Sequence, residues 1–239
     1  MNKWGVRMKS FRDKDTKAEQ ELAKFMDQFF YSKLRDKNKR PVNYRRVYDK
    51  TTQMKGIDIE MMVEDRTYYI DEKASLYYSN VMLPTFVLEI DSIQKNQREP
   101  VKGWFVNDNL MTDYYMLIWP NVKCQQDENK NWIRKSIESL TCNDFTIVEA
   151  MLIKKTDLVL EIQKCGYSTN RLIQYAMDLR HKANNQNNNI SEKLNDEIKI
   201  QYSGKIAEKP INIVASKELL KRVAKAVYLI SKDGYAKIS

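Results

Sequence analysis

The chain of 239 residues holds one histidine, three cysteines and no long apolar run. Each scarcity removes a class of protein. With His181 alone, sites that need several imidazoles, such as a histidine-rich metal finger, are excluded, and a Ser-His-Asp hydrolase would have to use this residue. His181 lies in Asp178-Leu179-Arg180-His181-Lys182, where helping to end a helix is the simpler role. Cys124, Cys142 and Cys165 are odd in number and widely spaced, which fits neither a zinc pattern nor a disulfide framework and points to reduced, cytoplasmic thiols. No segment is apolar over the length a bilayer requires, and Met1-Asn2-Lys3-Trp4 leads into a charged stretch without a signal-peptide core. No membrane partner is therefore expected. There is no internal repeat.

What the chain has in excess is positive charge. A formal net charge of +9 and an isoelectric point near 9.2 attract polyanions, and some of the 14 tyrosines could stack on bases. A hydrophobic content of 42% is ordinary for a globular protein, and the length suffices for one good-sized core or a core with an appended subdomain.

Chemistry concentrates between residues 56 and 74. Gly56 to Val63 and Thr67 to Ala74 are rich in β-branched, aromatic and apolar residues, and Glu64-Asp65-Arg66 between them has hairpin length, so two adjacent antiparallel strands are predicted. Side chains two apart on a strand share a face and stand about 6.6 Å apart. Asp71 and Lys73 therefore point one way, and Ile70, Glu72 and Ala74 the other. Asp58 is placed to reach the pair across the hairpin. Two carboxylates beside an ammonium are what a metal-dependent phosphodiesterase needs: the acids hold a divalent cation while the lysine sits by the scissile phosphate. An Asp-Glu-Lys tripeptide is commonly only a solvated edge or half of a surface ion pair. Here the flanking Tyr68, Tyr69, Ile70 and Leu76 suggest an interior strand, where charges need partners or a metal.

Gly56-Ile57-Asp58, a spacer of about a dozen residues and Asp71-Glu72-Lys73 resemble the PD-(D/E)XK nuclease superfamily, with Ile57 where the eponymous proline would stand. The resemblance implies a restriction-endonuclease-like α/β (α+β) fold, a central mixed β-sheet flanked by helices. It implies metal-dependent hydrolysis of phosphodiester bonds, with DNA the expected substrate and Mg²⁺ or Mn²⁺ the cofactor. Asp58 and Asp71 would hold the metal with the backbone carbonyl of Glu72, and Lys73 would position or activate the attacking water. The family opens with a helix that carries an acidic residue, and Ala18-Glu19-Gln20-Glu21-Leu22 resembles that opening in junction-resolvase-like members, which assigns the role to Glu19. The alternatives are that Glu19 only caps the helix and Glu21 is a solvated charge. A catalytically inactive nucleic-acid-binding module on the same fold is the alternative function, and a protein-interaction domain a third. Whether the protein is a homodimer stays open.

The surroundings are consistent. Leu22, Phe25, Met26, Phe29 and Phe30 form the stripe of an amphipathic helix, with Thr16 and Glu19 as a capping box at its start. Leu83 to Ile90 reads as a strand, and the apolar run from Thr112 bounded by Pro120 reads as a strand covered on both faces. Asp113 is a strand-entrance or turn residue. Asp144 to Ile153 reads as a strand, Thr156 and Asp157 cap a helix that Gly166 ends, and Ser168 to Ala183 forms another helix. Ala183 to Asn189 is an asparagine-rich loop, and Ile198–Tyr202 pairs with Ile211–Val214 as a hairpin. Ser216 to Ile230 reads as a basic helix whose Lys217, Lys221, Arg222 and Lys225 form either a solvated face or a contact to phosphates. The expected division is a nuclease-like core over residues 1–155 and a helical and hairpin extension over 156–239. No residue is assigned to nucleic-acid binding.

Overall fold

Leu22, Phe25, Met26 and Phe30 line one side of helix α1 (Arg12–Phe29) and the turn after it, and all four are buried in the computed structural model, which describes residues 12–94, 97–183 and 188–239. The helix is already formed at Arg12, so Thr16 and Glu19 lie inside it and are not the capping box expected at its start. Further helices are α2 (Lys50–Gln53), α3 (Lys155–Lys164), α4 (Thr169–Ala183) and α5 (Lys217–Val223).

The strands are β1 (Asn43–Arg46), β2 (Ile59–Val63), β3 (Arg66–Ala74), β4 (Thr85–Ile93), β5 (Pro100–Lys102), β6 (Tyr114–Val122) and β7 (Cys124–Gln126). They continue with β8 (Trp132–Arg134), β9 (Phe145–Lys154), β10 (Asn189–Lys193), β11 (Ile198–Ser203), β12 (Ile211–Ser216), β13 (Ala224–Ser231) and β14 (Gly234–Lys237). The fold is mixed α/β. A seven-stranded sheet runs in the order β1-β2-β3-β6-β9-β13-β14, with β3 and β6 parallel and the other neighbours antiparallel. A five-stranded antiparallel sheet has the order β10-β11-β12-β4-β5, and β7 pairs with β8.

Alternation along β6 explains the layering. Met116 and Ile118 point into a core with α1, while Tyr115, Leu117 and Trp119 point into a second core with the five-stranded sheet, α3, α4 and α5. The strand is covered on both faces, as its apolar run predicts. It does not stop at Pro120 but continues to Val122 through a register shift, a place where a missing donor is tolerated. The chain crosses from β3 to the parallel β6 by way of β4 and β5 in the second sheet.

Two local expectations change. Residues 216–230 are not one helix: α5 ends at Val223 and β13 follows, because pairing with β9 takes the apolar positions that also fit a helical period. Neither Thr156 nor Asp157 is the N-cap of α3; both lie in its first turn, where Asp157 pairs with Lys225 at 2.7 Å. The boundary expected at residue 155 falls between β9 and α3, yet both sheets draw strands from either side of it: β13 joins β9 and β12 joins β4. Of the asparagine-rich loop, residues 184–187 lie outside the described residues. No described helix is long and apolar enough to cross a membrane.

Candidate active site

The β2–β3 hairpin sets the site by register. Ile59 pairs with Ile70, so one step further Asp58 stands opposite Asp71, and the Asp58 amide donates to the Ile70 carbonyl at 2.9 Å. Asp71 in turn pairs with Tyr115 and Lys73 with Leu117, which puts Asp58, Asp71 and Lys73 on the sheet face away from α1. Gly56 lets the chain enter this position: its φ is +75°, and an added Cβ would lie 2.4 Å from Thr112 Oγ1. Thr112 Oγ1 donates to the Gly56 carbonyl at 2.9 Å, tying the approach to Asp58 to the approach to β6.

Asp71 is 2% exposed. Lys73 Nζ donates to Asp71 Oδ1, while Asp71 Oδ2 is buried without a hydrogen-bond partner among the described residues. Asp58 Oδ2 accepts the Glu72 amide at 2.8 Å. Burial pushes the Asp58 carboxyl well above the usual carboxylate range; Lys73 opposes this, and Asp71 and Glu72 add to it. Lys73 stays firmly protonated, because Asp71 and Asp58 outweigh its own burial. The unit is thus two crowded carboxylates and a fixed ammonium.

Three neighbours were not foreseen. Trp104 lies under Lys73, whose Nζ is 5.6 Å from its ring centroid, and the Trp104 carbonyl accepts from Tyr115 Oη at 3.2 Å. Burial, then the Asp71 charge, pushes the Tyr115 phenol far above its usual range. Lys155 donates to the carbonyls of Asn107 and Leu110 at 3.3 and 3.4 Å, and burial holds its ammonium below the usual lysine range against the pull of Asp108, Asp71 and Asp113. These contacts come from the parallel pairing of β3 with β6, from the connection after β5 and from the first residue of α3. No spacing in the sequence signals them.

Glu72 and the α1 acids are placed differently from the pair. The Glu72 carboxylate points to the α1 side and is held there by Tyr31 and Arg46, so of this residue only the backbone faces the site. Glu19 is exposed on α1, and its charge is felt at Lys73 after those of Asp71 and Asp58. Glu21 accepts the Cys142 amide at 2.8 Å and pairs with Lys24. Asp113 accepts the Tyr69 amide at 2.9 Å, the expected strand-entrance role. The four basic residues singled out between Lys217 and Lys225 are already paired: Lys217 with Glu149, Lys221 with Glu218, Arg222 with Glu161 and Glu197, and Lys225 with Asp157.

Among the described residues no three His, Cys, Asp or Glu side chains gather closely enough to hold a metal ion. The pair Asp58 and Asp71 still suits a hard cation such as Mg²⁺, which is commonly bound by one or two carboxylates and completed by water and substrate phosphate. Asp71 Oδ2, buried and without a hydrogen-bond partner among the described residues, is a ligand atom of the right kind. No protein-family model, curated protein or solved structure matches the chain.

Proposed function

We propose that this protein is a metal-dependent nuclease that hydrolyses phosphodiester bonds, with DNA as its substrate. The observation that carries the reading is the meeting of Asp58 and Asp71 on one sheet face beside Lys73. Asp58, Asp71 and the Glu72 carbonyl would hold Mg²⁺ or Mn²⁺, which supplies charge neutralisation at the phosphate and a more acidic water. Lys73, fixed by Asp71, orients the attacking water and faces the charge that develops on the phosphoryl oxygens. The Glu72 amide orients Asp58, and Trp104 covers one side of the lysine. Glu19, exposed on α1 across the sheet, would contribute at Lys73 through its charge. The net charge of +9 favours a polyanionic substrate.

The direct Lys73–Asp71 contact also suits an inactive nucleic-acid-binding module, in which the pair is only structural. The test is cleavage of circular DNA, linear DNA and RNA with Mg²⁺, Mn²⁺ or EDTA, run beside Asp71→Asn and Lys73→Ala. The expected result is metal-dependent cutting that falls at least about a hundredfold in each folded variant. Folded wild-type protein that cuts none of the three with either metal sinks the proposal.

A further inference from the structure

Behind the carboxylate pair, on the other face of the sheet, sits a buried charged cluster that the proposed chemistry leaves unused. Glu72 accepts from Tyr31 Oη at 2.8 Å and from Arg46 Nη1 at 2.6 Å, and Arg46 Nε donates to Asp27 at 2.8 Å. Tyr31 is fully buried, and the side chains of Arg46 and Glu72 are 8% and 12% exposed. Tyr31 also stacks on Tyr44 with ring centroids 5.3 Å apart, which fixes its hydroxyl toward Glu72. Such a cluster is a poor source of stability, because two carboxylates and a guanidinium leave water for it and apolar replacements of similar volume commonly do as well. Arg46 Nη2 and Asp27 Oδ1 are buried without a hydrogen-bond partner among the described residues, which adds to the cost.

The connections of this cluster lead to Asp58. Arg46 pairs with Ile59, the residue after Asp58, and the next amide, that of Val47, donates to the Asp58 carbonyl at 2.8 Å. Glu72, the partner of Arg46, gives its own amide to Asp58 Oδ2 at 2.8 Å. The Arg46–Glu72 bridge therefore reaches across the start of β2 and joins, from behind, the two chain segments whose amides grip Asp58 in front.

We propose that Arg46 is a positioning residue: its bridge to Glu72 fixes β1 against β3 and so holds the Asp58 carboxylate against Asp71. This rests on the reading of Asp58 and Asp71 as the metal-holding pair and gives that pair its support. Tyr31 and Asp27 orient the two ends of the bridge.

The test compares Arg46→Gln and Arg46→Lys with Arg180→Gln, which breaks a comparably buried pair with Asp91 in the second core, both of its side chains being 12% exposed. Two readouts are taken on the full chain: hydrogen exchange at the Glu72 amide without metal, and Mn²⁺ affinity by calorimetric titration. Arg46→Gln is expected to speed Glu72 exchange and weaken Mn²⁺ binding tenfold or more while amides of β11 keep their protection. Arg46→Lys should restore part of both, and Arg180→Gln should lower the melting temperature and change neither. If Arg46→Gln does not fold, Asp27→Asn/Arg46→Gln, which removes one stranded charge, is judged by the same readouts. Wild-type exchange at Glu72 in the folded variant, or equal loosening by Arg180→Gln, overturns the inference. Should wild-type protein bind no Mn²⁺ while Glu72 exchange responds to Arg46→Gln alone, the metal reading fails and the positioning role stands.

Discussion

Two carboxylates pressed together in a partly buried site burden the fold, and Asp58 carries that burden visibly. Its carboxyl is pushed up by burial first, with Asp71 and Glu72 adding to the effect, so the folded protein holds this proton more tightly than the unfolded chain does. Stability from this group is therefore fully present below the ordinary aspartate range near pH ~4 and is lost as pH rises through the raised folded value. In EDTA, Asp58→Asn is expected to stabilise the protein at pH 8 by about 1–3 kcal/mol and to make little difference at pH 4, as thermal melts at the two pH values would show. A variant less stable than wild type at pH 8 would mean that the Glu72 amide bond outweighs the repulsion. The meeting of Asp58, Asp71 and Lys73 was legible in the sequence because a short hairpin fixes its own register, although Arg66, expected in the turn, already pairs with Val63 as part of β3. The partners of Glu72 were not, since Arg46 and Tyr31 lie 26 and 41 positions away and reach it only through tertiary packing.

Among the elements, α1 shows what a helical stripe can and cannot reveal. Its apolar spacing identified the buried face, and Phe25, with no exposed surface and ring contacts to Phe29 and Phe145, lies at the centre of that face. Phe25→Ala should cost about 3–5 kcal/mol in a urea titration, whereas Gln20→Ala on the exposed side should change stability by less than about 0.5 kcal/mol. Equal effects would place the helix face wrongly. The start of α1 escaped the sequence because Arg12 to Asp15 continue the helix without an apolar position to mark it. The segment from Lys217 misled for the opposite reason: Leu219, Leu220, Val223, Val227 and Ile230 fit a helical period, while the strand that claims the last two comes from β9, more than 70 positions earlier. Short apolar runs of this kind are decided by the partner and not by the run.

For the whole molecule, charge is better judged by pairing than by count. The basic residues from Lys217 to Lys225 that looked available for phosphates each have an acidic partner, with Arg222 bridging Glu161 and Glu197. Arg222→Ala should consequently leave the salt slope of DNA binding unchanged in fluorescence anisotropy, where loss of a true phosphate contact lowers the slope by about one. A reduced slope would restore this face as part of the nucleic-acid surface. The mixed α/β class and the large mixed sheet agree with what the family resemblance implied. The interleaving of the two sheets could not be read in advance, because β4 with β12 and β9 with β13 are long-range pairings that no local pattern encodes.

That interleaving also sets an order in time. The β2–β3 hairpin is local and can close within microseconds, but the sheet packed over its face requires β4 to find β12 more than a hundred positions later, a slow search for a chain of high contact order. A pair of acids and a lysine gathered by neighbours in the chain is thus walled in by residues far along it.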